Sequence, residues 1–239
     1  MKFLPSLALV ALISIGFTSC KSIRGAREAE VRPMDMSQNT AHLRIEVNGK
    51  IKTVVIQLNP DAAPRTVENF KTLVASGFYN NLAFHRVIPN YLVQTGDPGA
   101  KDFRGKGKWG LGGPGYTVPA EIGLKHKRGS VAMARLGNDI NPSKESNGSQ
   151  FYIALADLPS LDGQYTVFGE VLSGIEVLDE MANVPTDAND IPTQRTEVYD
   201  LRLVRPDAVV AATKKVERKS QPKIDPDAGP MKRFIQRVW

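Results

Sequence analysis

The chain has little of what metal, redox and disulfide chemistry requires: 239 residues contain one cysteine, Cys20, and three histidines. A single thiol excludes an intrachain disulfide and any cysteine-based zinc centre. His42, His85 and His126 are too scattered to suggest a metal triad, and no C-x-x-C occurs, so no metal and no cofactor is assigned. The N-terminal apolar run, Leu7 to Ile15 broken only by Ser14, falls short of the roughly 20 residues a spanning helix needs. Strong charge of one sign is also missing from most of the chain. Residues 206–239 hold eight Lys/Arg against four Asp/Glu and Lys2 adds one more, so residues 20–205 carry only +1 of the formal +6. The positive balance belongs to the tail, no RNA-reading motif stands in a convincing context, and no nucleic-acid partner is expected.

What is present begins with the ends. Lys2, the apolar run, then Thr18 and Ser19 before Cys20 resemble a secretory signal at residues 1–19. Cys20 stands where a bacterial lipoprotein signal places its lipidated thiol, although F-T-S-C has Phe where Leu is commoner. The expectation is a protein lipid-anchored through Cys20 in a bacterial cell envelope, facing the periplasm; a stray cysteine after an ordinary signal and a transmembrane anchor are the alternatives. Residues 20–40 mix charges without apolar period and read as a tether. Residues 206–239, rich in Pro and Lys, have little capacity for a core and read as a disordered basic tail.

Between these ends, residues 41–205 alternate as short strands. L-R-I-E-V, N-G-K and I-K-T-V-V-I-Q-L predict a hairpin, because both positions of a type I′ turn need positive φ and Asn48-Gly49 supplies them. A helix starting at Asp61 or a neighbour carries Val67, Phe70, Leu73 and Val74 on one face and closes at Gly77. A second runs from Gly174 to Ala182, with Ile175, Val177, Leu178 and Met181 as its apolar set. Strand-like runs fall at 84–88, 91–94, 130–134, 151–155, 167–171 and 198–204. Many short strands with two isolated helices argue for a mainly β barrel or sandwich.

Three stretches carry chemistry: F-H-R-V-I-P-N-Y-L-V-Q-T-G-D-P at Phe84–Pro98, N-G-S-Q-F-Y-I-A-L at Asn147–Leu155 and L-D-G-Q-Y-T-V-F-G-E-V at Leu161–Val171. Together they resemble the blocks of the cyclophilin family of peptidyl-prolyl cis-trans isomerases, in the family's order. The resemblance implies a closed eight-stranded antiparallel barrel capped by two α-helices, and an isomerase acting on proline-containing unfolded or exported polypeptides. A single subunit is expected. It further implies Arg86 as the catalytic residue and Gln94 as the holder of substrate backbone. Tyr91, Leu92, Tyr152 and Leu161 would line the proline pocket, Tyr165 its mouth, Ala134 and Arg135 the opposing edge, and Gln150 an adjoining subsite. Tyrosine stands at positions 91 and 152 where the family often has phenylalanine, adding hydroxyls that need partners.

The chemistry suits these residue types. The barrier to rotating an Xaa-Pro bond, about 18–20 kcal/mol, is lost amide resonance, so neither nucleophile nor metal is required. In the twisted state the prolyl nitrogen becomes a better acceptor, and a fixed cationic donor stabilises that state above either planar one. On a strand, Phe84, Arg86 and Ile88 would share one face, putting the guanidinium among apolar groups. A proline-peptide-binding chaperone or scaffold with low turnover is the rival reading. Two literal motifs fail on context: G-x-G-x-x-G at Gly105–Gly110 leads into loop instead of a helix, and the Asn147 glycosylation sequon lies inside a core block.

Overall fold

The computed structural model describes residues 35–205; the signal segment, Cys20 and the basic tail beyond residue 205 lie outside the described residues. Strands β1 (Thr40–Val47) and β2 (Lys50–Leu58) form the expected hairpin. Asn48 (φ 52°) and Gly49 (φ 72°) both sit in the left-handed region that the turn demands. Of the stretch read as a tether, residues 35–40 are described, and they are held to the domain. Lys71 Nζ donates to Met36 O at 3.0 Å and to Asn39 Oδ1 at 2.7 Å.

Helix α1 (Pro64–Ala75) starts on proline, whose missing N–H costs nothing in a first turn. Its N-cap, Ala63, has no side chain with which to cap, so the end is satisfied from a distance. Glu121 accepts the Arg65 and Thr66 N–H groups at 3.0 and 2.9 Å, a carboxylate at the positive end of the helix. Asp61 takes no part. The helix closes with paired bonds from Gly77 N to Val74 O and Phe78 N to Leu73 O, both 3.0 Å.

The remaining elements are β3 (Arg86–Ile88), β4 (Leu92–Thr95), β5 (Thr117–Val118), β6 (Ser130–Met133), β7 (Ser146–Asn147), β8 (Phe151–Ala154), β9 (Val167–Ser173), α2 (Ile175–Ala182) and β10 (Glu197–Val204). Eight strands make one antiparallel sheet in the order β10-β1-β2-β9-β6-β8-β4-β3, with β5 and β7 paired apart from it. The two-residue strands carry no period legible in sequence. The expected closed barrel is not fully closed: β3 and β10 form no ladder, and the curled sheet is seamed by a single bridge, Ala83 to Glu197. Bonds from Phe84 N to Thr196 O (2.9 Å) and Val198 N to Leu82 O (2.8 Å) flank it. The outer edge of β3 is taken by the Asp190 turn, whose carbonyl accepts the Val87 N–H, and the chain before β3 turns at Asn81 (φ 62°), leaving too little extended backbone for a full ladder.

The sheet has two apolar faces. Inside the curl, Val87, Val93, Ile153 and Val131 join Phe70, Phe151 and Phe168, with Val67 and Val74 of α1 and Leu178 and Met181 of α2. Outside it, a second buried cluster contains Ile88, Tyr91, Leu92, Tyr152, Leu161 and Tyr165. A sheet whose inner face is filled by helices has no packing need for a second apolar cluster on its outer face. That cluster is where the candidate site lies.

Candidate active site

Strand register builds the site. Arg86 pairs with Gln94, Gln94 with Tyr152, and Tyr152 with Ala132, so these four residues form one row across β3, β4, β8 and β6. Adjacent strands lie about 4.8 Å apart, which puts the Arg86 and Tyr152 backbones about 10 Å from each other. Two residues along, Ile88, Leu92 and Ala154 make a parallel row on the same outward face. Phe84 departs from the sequence expectation. It belongs to the inner core while Ile88 belongs to the outer cluster, because regular alternation begins only at Arg86.

The Arg86 side chain is buried, with its Nε 3.7 Å from Asp190 Oδ2. Burial pushes the guanidinium down from its usual value and the Asp190 carboxylate opposes this. Asp190 sits at φ 62° and accepts the Val87 N–H at 2.8 Å, so backbone and side chain both bind it to β3. Nothing in the sequence pointed to Asp190, which lies more than 100 residues away in a turn.

The Gln94 amide is oriented by a relay. Gln150 Nε2 donates to the carbonyls of Gly110 (2.9 Å) and Gly112 (2.7 Å), leaving its Oε1 to accept from Gln94 Nε2 at 2.9 Å. Gln94 Oε1 is consequently a buried acceptor with no hydrogen-bond partner among the described residues. The glycine loop is itself held by Asp97, fully buried, whose carboxylate accepts from Gly99, Gly110 and Gly112 at 2.7, 2.5 and 3.2 Å. Gln150 thus fixes the direction of the Gln94 amide.

The side chains expected to line the pocket lie together. Tyr91, Leu92, Tyr152, Leu161 and Tyr165 are all buried in the outer cluster, with Ala134 at its edge. Leu161 arrives on a 3-10 turn, Pro159–Leu161. The Tyr152 and Tyr165 rings meet edge to face at 5.8 Å. Burial pushes the Tyr91 hydroxyl up to about 12, so the ring presents a neutral phenol. At the opposing edge, Ala134 has committed its backbone: its N–H donates to Gln150 O (2.9 Å) and its carbonyl accepts from Asn147 N (2.7 Å). The Arg135 guanidinium is equally committed, donating to Gln164 O and Leu136 O at 2.7 Å each and lying 4.8 Å over the Tyr165 ring. Arg135 thus clamps two loops that wall the pocket. Beyond Asn147 a cavity of about 510 Å³ opens between Tyr116, Leu136, Ile140, Pro142 and Glu145. A second, of about 550 Å³, lies between Gln57, Leu124, Lys127 and Glu170 and includes none of the site residues.

His85, behind the row, is buried, and its imidazole is pushed down to about 4 by that burial, with the Asp97 carboxylate opposing. A base whose folded pKa lies below its unfolded value of about 6.5 contributes stability above pH 6.5 that is lost as pH falls toward 4. The expected loss is about 3 kcal/mol across that window. Urea unfolding at pH 7 and 4.5 will show it, and a His85→Gln variant will lose less; equal losses would assign the acid sensitivity to other groups. Among the described residues no group of three metal-ligating side chains converges, and no helix is long and apolar enough to cross a membrane.

A curled antiparallel sheet bearing an outer apolar pocket, a buried arginine at one end and a fixed amide acceptor beside it forms a candidate site with the chemistry to hold a peptide and turn a prolyl bond. The model of the family described as cyclophilin type peptidyl-prolyl cis-trans isomerase/CLD matches residues 42–203, and the chain belongs to this family of isomerases. Its relatives include peptidyl-prolyl cis-trans isomerase-like 1 of Aspergillus fumigatus, 40% identical over 150 residues covering 62% of this chain and 88% of the relative. A peptidyl-prolyl cis-trans isomerase of Helicobacter pylori is 39% identical over 157 residues, covering 64% of this chain and 86% of the relative. Among solved structures, a Cryptosporidium parvum cyclophilin type isomerase superposes with a TM-score of 0.60 at 30% identity, over 70% of this chain and 98% of that one. The same protein in the presence of the dipeptide Ala-Pro gives a TM-score of 0.59.

Proposed function

We propose that the enzyme rotates Xaa-Pro bonds in exported polypeptides from a lipid anchor at Cys20 in a bacterial envelope, with Arg86 as its catalytic residue. The observation that carries the role of Arg86 is its place in the row with Gln94 and Tyr152. A proline ring seated on Tyr152, Leu92 and Leu161 would lie beside the guanidinium, while Gln94 Oε1 accepts a substrate backbone N–H. As the bond twists, the prolyl nitrogen gains acceptor strength and Arg86 donates to it, which favours the twisted state over both planar ones. Bringing a step of tens of seconds to milliseconds requires on the order of 5–6 kcal/mol, within reach of a few directed hydrogen bonds in a sheltered groove. The cavity beyond Asn147 would take residues ahead of the proline.

The anchor and the exported clients rest on the first twenty residues of the sequence. Acyl labelling in cells should be lost in Cys20→Ala, and an unlabelled wild type would remove the anchor. For the activity, NMR exchange spectra of a short Xaa-Pro peptide with catalytic protein should show accelerated cis-trans exchange. Peptide binding without acceleration would favour the reading of a low-turnover proline-peptide-binding chaperone or scaffold.

A further inference from the structure

Behind the pocket floor runs a chain of polar groups, two buried and one half-buried, that the reaction itself does not use. Tyr152, fully buried, places its hydroxyl 2.9 Å from His126 Nε2. His126 is also buried, and its Nδ1 lies 3.1 Å from Asp162 Oδ1, which accepts the His126 backbone N–H at 2.7 Å as well. The two rings lie nearly parallel, 9° apart, with centroids 6.0 Å from each other, and Tyr165 meets the imidazole edge to face at 6.2 Å. The His126 carbonyl accepts the Leu158 N–H at 3.0 Å, just ahead of the turn that delivers Leu161.

Donor and acceptor roles follow from the end of the chain. A carboxylate only accepts, so Nδ1 carries the imidazole proton, Nε2 is left as a lone pair, and the Tyr152 hydroxyl donates to it. Burial holds His126 below its usual pKa and the tyrosine well above its own, so both groups stay neutral and this arrangement persists. Phenylalanine at position 152 would fill the same floor but would leave Nε2 without its donor. Tyrosine here is one half of a matched pair.

We propose that His126, oriented by Asp162, is a positioning residue that sets the tilt and depth of the Tyr152 ring and thereby the fit of the proline pocket. It touches no substrate and acts through Tyr152, whose hydroxyl it accepts. This rests on the isomerase reading of the pocket, so affinity is measured apart from turnover.

The test is a double-mutant cycle of His126→Phe and Tyr152→Phe, read by NMR shift titration of an Ala-Pro-containing peptide and by KM and kcat for its exchange. His126→Phe removes the acceptor of the Tyr152 hydroxyl and should weaken peptide binding about five- to tenfold, with KM rising in step and kcat falling far less. Adding Tyr152→Phe removes the hydroxyl that lost this acceptor and should recover about three- to fivefold of that affinity. Independent effects, with the double variant no better than His126→Phe alone, overturn the proposal, as does a loss confined to kcat. If a variant does not fold, the wild type decides: a long-range proton–nitrogen spectrum must find the His126 proton on Nδ1, and a proton on Nε2 overturns the arrangement. Wild type that binds peptide without accelerating exchange refutes the isomerase reading while leaving the affinity cycle as a test of positioning.

Discussion

Replacing Arg86 by alanine should slow cis-trans exchange of an Xaa-Pro peptide by about a hundred- to a thousandfold, the usual consequence of deleting one preorganised donor. Peptide affinity should change much less, since in the proposed mode the proline ring sits on Tyr152, Leu92 and Leu161 instead. The substitution also leaves Asp190 without its cation and should cost about 1–3 kcal/mol of stability, so each assay must be run where the variant is folded. Arg86→Lys separates charge from geometry. It keeps a cation near Asp190 but loses the rigid fork, and should recover stability more than rate. A lysine variant as fast as wild type would show that a point charge suffices and that the directed donor is not needed.

Gly96→Ala is expected to be the most damaging single-methyl change in the site. Gly96 has φ 96°, and a Cβ there would stand 2.3 Å from Ser149 O and 2.8 Å from Gln150 Cα. Those contacts are backbone, so no side chain can swing aside. Ser149 Oγ also donates to Gly96 O at 2.7 Å, tying the two segments at the same point. Strain plus displacement should cost about 3 kcal/mol or more, seen as a lower urea midpoint at unchanged slope. Because the displaced residue is Gln150, the folded fraction should also lose peptide affinity through a misdirected Gln94. A midpoint within about 1 kcal/mol of wild type would mean that β4 and the 149–150 segment separate easily, and the relay through Gln150 would then not be rigid.

Much of the fold is legible in local pattern. Asn48-Gly49 specifies the first hairpin through the one turn type it favours, and Val67, Phe70, Leu73 and Val74 give α1 its buried face. The start of α1 was less legible. Its cap comes from Glu121, fifty-six residues from the first amide it binds, whereas the nearby Asp61 looked suitable by chain proximity alone. The facing of Phe84 failed for a similar reason: alternation holds only inside a paired strand, and pairing with β4 begins at Arg86.

The sequence by itself determined the longer strands and both helices and, through three extended motifs, the family. These depend on side-chain type and short spacing, which a linear chain displays directly. Tertiary structure alone decided how the groups are oriented. Asp190 beside Arg86, Asp97 beneath the glycine loop, Gln150 aiming Gln94, and the chain from Asp162 through His126 to Tyr152 all join residues distant in sequence. A buried charge or hydroxyl must find a partner wherever folding brings one within about 3 Å, and that choice is made by strand register and loop packing, which no local pattern records.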